Sequence, residues 1–337
     1  MYTVTIANGK TFKAAEGESL LDAALRQHLT LDYSCRTGRC STCRSRVTAG
    51  LTAALQDETG LSTAEQADGF VLTCVRGACS DVSLDIEDLG DISLPDPKTV
   101  PCRIQSLDKL SHDVMRVVLR TPPSSPLAFL PGQYIDVIGA EGLRRSYSIA
   151  NAPRNDQLIE LHIREVPEGQ MSQYWFRDAK ANDLLRLRGP LGTFFLRGHA
   201  GRDLVFLATG TGIAPVKAML EGLALNEAST QPRSISVYWG GRQPADLYWR
   251  PEEDTRLEAL RPRLRFIPVL SRADADWTGN CGHVQAALLA DGLDLQEARV
   301  YACGSDAMIR DAQNQLCSLG LAPRSFHSDA FVSSGEA

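Results

Sequence analysis

"DYSCRTGRCSTCRSR", residues Asp32 to Arg46, places three cysteines within nine residues of one another. They are Cys35, Cys40 and Cys43, and after Asp32 the stretch contains four arginines and no acidic side chain. Three thiols so close together in one positively charged loop are typical of a metal site.

A fourth cysteine completes the spacing. Cys35-x4-Cys40-x2-Cys43 is followed about thirty residues later by Cys74, and this plant-type pattern supplies four thiolates to a 2Fe-2S cluster. A structural zinc site is the nearest alternative, but zinc usually takes two separated C-x2-C pairs. Gly38 also fits a cluster loop, because glycine tolerates positive φ and lets backbone N–H groups point inward.

The residues around the loop predict the rest of a small domain. Tyr2 to Ala7 and Thr11 to Ala15 alternate like a hairpin, and a capping box at Ser19 opens a helix of about ten residues. A short helix is expected near Ser62 to Ala67, before a strand that delivers Cys74. This order resembles the β-grasp fold of plant-type ferredoxins, which we assign to residues 1–90.

Composition limits the class of protein. A chain of 337 residues predicts two or three domains, and no run approaches the eighteen or so apolar residues of a membrane span. The start has no basic and apolar leader, so we expect a cytoplasmic protein whose nine cysteines are not disulfides. A net charge of −6 argues against nucleic acid as a partner.

Residues 91–101 contain three prolines and predict an exposed linker. The runs that follow, such as "FLPGQYIDVIG" and "LIELHIREV", alternate with period two and predict an antiparallel barrel over residues 102–199. Within them Arg145-Ser146-Tyr147-Ser148 resembles the R-x-Y-S signature of the ferredoxin-NADP reductase superfamily, which binds flavin on such a barrel.

The resemblance implies a role for each of these side chains. Arg145 would pair with the flavin phosphates, Tyr147 would pack on the isoalloxazine ring, and the catalytic Ser148 would donate a hydrogen bond near N5. An arginine fork, an aromatic face and a hydroxyl suit those tasks. Taken alone the tetrapeptide is weak evidence, because a strand with outward Arg and inward Tyr is common.

A second phosphate contact is expected at the start of a helix. The stretch is "GQMS", made up of Gly169, Gln170, Met171 and Ser172. Its backbone N–H groups and the serine hydroxyl can meet a diphosphate. This contact favours FAD over FMN.

From residue 200 to residue 337 strands alternate with helices, which predicts a parallel sheet that binds a nucleotide. The turn in "DLVFLATGTGIAPVKAML" reads G-x-G-x-x-P, and its key residues are Gly210, Thr211, Gly212 and Pro215. Proline suits a first helical position, and a diphosphate can bind the helix N-terminus.

The stretches "YACGS" and "SDAFV" resemble the nucleotide half of the same superfamily. The resemblance implies that Cys303, with Gly304, lies beside nicotinamide C4 and flavin N5, although a buried thiol at a strand end is the alternative. Ser305 stands where many relatives have proline. Phe331 would stack on the flavin, but six residues follow it here.

The choice between dinucleotides rests on the loop "YWGGRQPADLY". Arg242 is its one cation near the second sheet strand, and Asp246 would repel a 2′-phosphate. We therefore expect NADH rather than NADPH.

The three parts imply one electron path. NAD(P)H gives two electrons as a hydride and a 2Fe-2S cluster takes one at a time, so a flavin must stand between them. The whole chain resembles the CDP-6-deoxy-3,4-glucoseen reductase family, which passes electrons to an iron-sulfur dehydratase of 3,6-dideoxyhexose synthesis. Reductase components of aromatic-ring oxygenases share this architecture, so either kind of acceptor protein is a possible partner.

Two other classes are weaker alternatives. A redox-sensing binding module would not need the complete hydride apparatus, and direct reduction of free flavin or quinone would not need four cluster cysteines. Four other thiols match no ligand position, and we expect Cys79 and Cys102 to be buried and inert; the four are Cys79, Cys102, Cys281 and Cys317. The six histidines show no ligand spacing and are assigned no metal.

The arginines of the opening stretch have two interpretations. They either offset the negative charge of the cluster and its thiolates, or steer an acidic patch of the acceptor toward it. The four are Arg36, Arg39, Arg44 and Arg46.

Overall fold

The chain divides into two units, Met1–Ser93 and Leu94–Phe331, in the computed structural model. The structure describes residues 1–90, 92–227 and 230–332. Asp91 of the predicted linker and residues 228–229 and 333–337 of the predicted nucleotide domain therefore lie outside the described residues. The boundary between the units falls inside the predicted linker.

The first unit has a mixed sheet whose strand order is β2-β1-β7-β3-β5. Its elements are β1 Tyr2–Ile6, β2 Thr11–Ala14, α1 Leu20–Arg26, β3 Arg44–Ala49, β4 Thr52–Ala54, α2 Thr63–Ala67, β5 Phe70–Leu72, β6 Arg76–Ala78 and β7 Val82–Leu84. β1 and β2 form the expected antiparallel hairpin, and β1 pairs in parallel with β7. The predicted β-grasp arrangement is confirmed.

Helix α1 begins where the sequence predicts and ends earlier. The Ser19 side chain accepts the N–H of Asp22, and four apolar residues of α1 are buried in the core of the unit. The helix has seven residues rather than about ten. It stops because His28 takes a left-handed backbone conformation, with φ +60°, and that conformation ends a helix.

The second unit begins with an antiparallel barrel whose strand order is β11-β10-β13-β8-β9-β12. Its elements are β8 Lys98–Lys109, β9 Val114–Arg120, β10 Tyr134–Ile138, β11 Arg144–Ser148, β12 Leu158–Arg164, α3 Gln170–Gln173 and β13 Leu184–Leu191. A bridge between Ile149 and Leu161 brings the two outer strands together and nearly closes the barrel. β8 starts at Lys98, so the last four residues of the predicted linker belong to a barrel strand.

A sheet follows whose strand order is β17-β16-β15-β14-β18-β19, and its recorded strand pairs are all parallel. Its elements are β14 Asp203–Thr209, α4 Ile213–Ala224, β15 Ser234–Gly241, β16 Leu264–Leu270, β17 Asn280–Cys281, α5 Val284–Ala290, β18 Ala298–Gly304, α6 Asp306–Ser318 and β19 Phe326–Ala330. The apolar run of β14 is central, with β15 on one side and β18 on the other. Strand order reverses there, and open parallel sheets bind ligands at such a point.

Candidate redox sites

The four predicted cluster cysteines lie together in the first unit. Cys35, Cys40 and Cys43 occupy the loop between α1 and β3, and Cys74 follows the end of β5 by two residues. Cys40 and Cys43 are buried, while the Cys35 sulfur accepts the N–H groups of Thr37 and Cys40 at 3.4 Å. Segments about thirty residues apart in the chain thus form one thiol site.

The thiols interact as two pairs. The hydrogen bond with Cys40 lowers the pKa of Cys35 to about 5, and the bond with Cys43 lowers the pKa of Cys74. The same bonds raise the pKa values of Cys40 and Cys43. Two pairs of thiols in one site, each with one thiol inclined to ionise, fit a group that takes four thiolates.

The loop is packed against a segment that the sequence did not single out. Gly38 has φ +71°, and a Cβ on it would lie 2.3 Å from the carbonyl oxygen of Asp57. The Gly60 N–H donates to the Gly38 carbonyl at 2.8 Å. Glycine at position 38 is therefore required both by its backbone conformation and by this close approach.

Acidic side chains from other segments reach the arginines of the loop. Arg36 forms an ion pair with Asp22, and Arg44 forms one with Glu65. The Arg44 guanidinium also lies over the Phe70 ring, 4.9 Å from its centroid. The positive stretch of sequence is thus partly neutralised by the fold.

The predicted flavin motif forms strand β11 of the barrel. Successive side chains of a strand point to opposite faces, so Arg145 and Tyr147 share one face of β11 and Ser148 lies on the other. Trp175, which the sequence analysis missed, donates its Nε1–H to the Tyr147 oxygen at 3.0 Å and contacts the ring edge-on. Burial raises the pKa of Tyr147 to about 12, so its hydroxyl stays protonated at neutral pH.

A groove of about 600 Å³ runs from the flavin motif to helix α3. Its lining includes Arg145, Gln170, Met171 and Tyr174, together with the backbone of residues 139–143. Two segments predicted separately to meet phosphate therefore share one cavity, which fits a diphosphate ligand such as FAD. The buried Ser172 hydroxyl, predicted to meet the same diphosphate, accepts the Val166 N–H at 2.8 Å.

The glycine turn after β14 touches the end of β18. A Cβ on Gly212 would lie 2.3 Å from the Cys303 carbonyl oxygen, and the Ser305 N–H donates to the Thr209 hydroxyl at 3.0 Å. The turn, Gly210–Gly212, leads directly into α4. Pro215 is the third residue of α4 rather than the first, but it still lies in the first turn, where backbone N–H groups lack helical partners.

Arg164 is a cation near this turn that the sequence analysis overlooked. A Cβ on Gly210 would lie 2.7 Å from its guanidinium. Arg164 also pairs with Asp113 at 2.9 Å. The pattern of β12 gave no sign of this position, because the contact joins the barrel to the parallel sheet.

Ser148 meets the end of the parallel sheet. Its hydroxyl donates to the Asp329 carboxylate at 3.5 Å, and Asp329 pairs in register with Cys303 on the neighbouring strand. The Cys303 side chain is fully buried; burial, and then the charge of Asp329, raise its pKa well above the usual value. Phe331 is 40% exposed, and its N–H donates to the Gly304 carbonyl at 2.8 Å. The structure therefore brings these predicted residues together and adds Asp329.

In the loop after β15, the structure gives Asp246 a backbone contact that the sequence did not indicate. The Asp246 carboxylate accepts the N–H groups of Arg242 at 2.7 Å and of Gln243 at 3.1 Å, and its side chain is buried. The Arg272 N–H donates to the Arg242 carbonyl at 2.9 Å, which adds a second arginine to the loop. Asp246 is thus a capping residue as well as a local negative charge.

Two remaining expectations concern thiols and histidines. Cys102 is buried as predicted, but Cys79 is exposed, because it lies beyond the last paired residue of β6. Within the described ranges His112 lies near Asp113 and Asp246, with candidate ligand atoms within 4.8 Å of one another. The two carboxylates already pair with Arg164 and with backbone N–H groups.

Comparisons with known families agree with this geometry. Residues 4–79 match the 2Fe-2S iron-sulfur cluster binding domain, residues 101–196 the oxidoreductase FAD-binding domain, and residues 206–314 the oxidoreductase NAD-binding domain. The fold and its sites thus define an NAD(P)H-dependent oxidoreductase with domains for FAD and a 2Fe-2S cluster.

Relatives that match over nearly the whole chain show which oxidoreductases this protein is most informatively compared with. The chain is 40% identical over 327 residues to the CDP-6-deoxy-L-threo-D-glycero-4-hexulose-3-dehydrase reductase of Yersinia pestis, covering 97% of each chain. It is 34% identical to a Ralstonia reductase component of the naphthalene 1,2-dioxygenase/salicylate 5-hydroxylase systems, covering 96% of each. A crystal structure of an Amycolatopsis cytochrome P450 reductase has a TM-score of 0.77 at 28% identity, covering 99% of this chain and 100% of that one.

The chain belongs to the family of single-chain iron-sulfur flavoprotein reductases that includes the Yersinia dehydrase reductase. The resemblance drawn from the sequence is confirmed. No helix in the described ranges is long and apolar enough to cross a membrane.

Proposed function

We propose that this protein carries electrons from NADH to the dehydrase that acts on a CDP-6-deoxy-4-hexulose. The observation that carries this choice is the level of identity to full-length relatives. It is 40% for the Yersinia dehydrase reductases and 30 to 34% for the reductase components of naphthalene and terephthalate dioxygenases.

The cluster residues of this proposal are Cys35, Cys40, Cys43 and Cys74. Their arrangement as two hydrogen-bonded pairs, with the pKa values of Cys35 and Cys74 lowered, supports this assignment. The Thr37 and Cys40 N–H groups that reach the Cys35 sulfur would stabilise negative charge on it.

FAD, when bound, accepts the hydride of the dinucleotide and releases electrons singly. In the proposed site Arg145 and the N-terminus of α3 hold the flavin diphosphate along the groove they share. Tyr147, held by the Trp175 hydrogen bond, presents its ring to the isoalloxazine. Ser148 Oγ holds a proton between the barrel and the Asp329 carboxylate.

The nucleotide residues of the proposal lie at the point where strand order reverses. The turn Gly210–Gly212, the first turn of α4 with Pro215, and the Arg164 guanidinium surround one edge of the sheet, where they would bind the dinucleotide phosphates. Cys303 and Gly304 close the same edge, with Phe331 after them. The Cys303 thiol, whose pKa is raised by burial, would pack beside the flavin and the nicotinamide as a neutral group rather than act as a nucleophile.

The test is anaerobic reduction of the holoprotein with NADH, followed by addition of a purified acceptor. Reoxidation of the cluster by the CDP-hexulose dehydrase at catalytic rates supports the proposal. If NADH reduces the protein but the dehydrase does not reoxidise the cluster, the proposal is contradicted.

A second candidate is the reductase component of a ring-hydroxylating oxygenase. The 34% identity to the Ralstonia component over 96% of both chains favours it over the remaining classes. The same experiment separates the two, because an oxygenase acceptor would then reoxidise the cluster faster than the dehydrase. A redox-sensing module would show no steady NADH turnover with either acceptor.

A further inference from the structure

Helix α4 carries an ion pair that is buried from solvent. Lys217 and Glu221 lie one turn apart, with 2.7 Å between Nζ and Oε1, and each side chain is 4% exposed. Buried charges are costly unless they have partners. The pair therefore depends on groups outside its own helix.

Two of those groups belong to the segment that follows the flavin motif. Lys217 Nζ donates to the Ala150 carbonyl at 3.0 Å, and Glu221 Oε2 accepts the Ala152 N–H at 3.1 Å. Residues 149–152 directly follow Ser148 and are at most 1% exposed. The backbone that leaves strand β11 is thus held by two side chains of α4.

The pair is also tied to strand β12. Lys217 Nζ lies 3.1 Å from Glu160 Oε1, and the same oxygen lies 3.0 Å from His162 Nε2. Arg154 and Arg256 pair with Glu221 at 2.9 Å and 3.1 Å. Positive and negative side chains alternate throughout this network, which partly balances their charges.

The N-terminus of α4 adjoins the nucleotide turn. The helix begins at Ile213, immediately after Gly210–Gly212, and Lys217 is its fifth residue. One element therefore contacts both the turn that would bind the hydride donor and the segment that directly follows the strand proposed to hold the acceptor.

We propose that Lys217 and Glu221 form a positioning pair that sets the distance between nicotinamide and flavin. This inference rests on the proposed flavin and nucleotide sites. Neither side chain touches the reacting atoms. Their effect follows from geometry, since hydride transfer requires a near-attack arrangement and a misplacement of about 1 Å can slow a reaction about 100-fold.

The test uses the full chain loaded with FAD and cluster. In Lys217→Met, stopped-flow reduction of the flavin at saturating NADH, expressed per bound flavin, should slow about tenfold or more. The Kd for NADH should change little, because the phosphate-binding turn is intact. Lys217→Arg should recover part of the rate, since it restores a donor and a positive charge.

Arg202→Met is the matched control. Arg202 pairs with Glu297 at 2.7 Å in the same sheet, but this pair is exposed and lies at the start of β14, the end away from the nucleotide turn. Its flavin reduction should match the wild-type rate.

A second variant and a second readout guard against misfolding. Lys217→Met combined with Glu160→Gln removes one negative charge together with the positive one, so the net charge of the network is unchanged; it should fold while its flavin is still reduced slowly. Hydrogen exchange should become faster in the peptide that covers residues 149–161 and stay unchanged in residues 203–209.

The outcomes separate the two levels of inference. Variants that bind less flavin or melt earlier but reduce their bound flavin at the wild-type rate would show a purely structural pair and overturn the proposal. Wild-type protein that NADH does not reduce would overturn the proposed function and this inference with it.

Discussion

Cys43 and Cys79 have opposite surroundings in the same domain. Cys43 is buried in contact with Cys74, whereas Cys79 is exposed and has no place in the cluster pattern. Substitution at these two positions can therefore separate the proposed ligand Cys43 from a thiol outside the cluster pattern.

We expect Cys43→Ser to lose cluster absorbance and cytochrome reduction while retaining NADH-dependent ferricyanide reduction. The flavin and nucleotide sites belong to the other unit, so they should survive. Cys79→Ser is the control and should keep the cluster. Loss of ferricyanide turnover with FAD still bound would contradict this separation of modules.

Ser148 and Cys303 are expected to act on the rate of flavin reduction. Ser148→Ala removes the hydroxyl that contacts Asp329, and Cys303→Ala removes a side chain at the end of β18. Each should slow flavin bleaching by about tenfold to 100-fold with little change in FAD content. If the flavin of both variants bleaches at the wild-type rate in stopped-flow measurements, the two residues contribute only to packing.

At the scale of elements, we propose that the loop after β15 sets the dinucleotide preference. We expect a higher kcat/KM for NADH than for NADPH, because the Asp246 carboxylate keeps a negative charge at the Arg242 backbone. Asp246→Asn keeps an oxygen acceptor for the cap but removes the charge, and should raise the relative kcat/KM for NADPH up to about tenfold. An unchanged ratio would mean that Asp246 acts only as a cap.

Strand β19 carries a half-buried histidine, His327, whose protonation affects stability. Burial, followed by Arg197 and Arg299, lowers the pKa of His327 to about 3. The unfolded state binds this proton near pH 6.5 and the folded state does not, so the stability is present above pH 6.5 and is lost as pH falls toward 3.

We therefore expect His327→Gln to reduce the acid sensitivity of the second unit. Between pH 6.5 and 5 the unfolding free energy of the wild type should fall by about 2 kcal/mol more than that of the variant. Glutamine retains an acceptor for Arg197, which contacts His327 Nδ1 at 3.3 Å. Urea titrations measure the slope, and the exposed His112→Gln should behave like wild type.

At the scale of the whole molecule, the cluster loop must meet an acceptor. Arg36 and Arg44 are engaged by Asp22 and Glu65, which supports the view that the arginines partly serve the fold. Arg46 is exposed and donates to the Asp68 carbonyl at 3.0 Å. Electrostatic steering of the acceptor can therefore be tested at Arg46 without breaking either of these ion pairs.

If the loop steers an acidic partner, Arg46→Glu should slow electron transfer to that partner at low salt. Raising ionic strength should slow the wild type in the same way, because the Debye length falls from about 30 Å at 0.01 M to about 8 Å at 0.15 M. Lys13→Glu makes the same charge change elsewhere on the domain and is the control. Equal rates for both variants would leave the arginines with a local role.

The amino-acid sequence by itself determined the fold class, the four cysteines that the fold brings together and the family, because spacing and alternation are local properties of the chain. It also located Arg145, Gln170 and the turn at Gly210–Gly212. Only the tertiary structure placed Asp329 against Ser148, Trp175 against Tyr147 and Arg164 beside Gly210.

Contacts between distant segments also explain why the charge balance of the arginines differs from the one that the sequence suggested. Glu65 and Asp22 neutralise arginines that looked unopposed, and Lys217 binds a carbonyl 67 residues away in the chain. A sequence pattern records the side chains available, but contact between distant segments depends on how strands order and barrels close. Charge balance and the positioning of reacting groups are therefore decided by the fold.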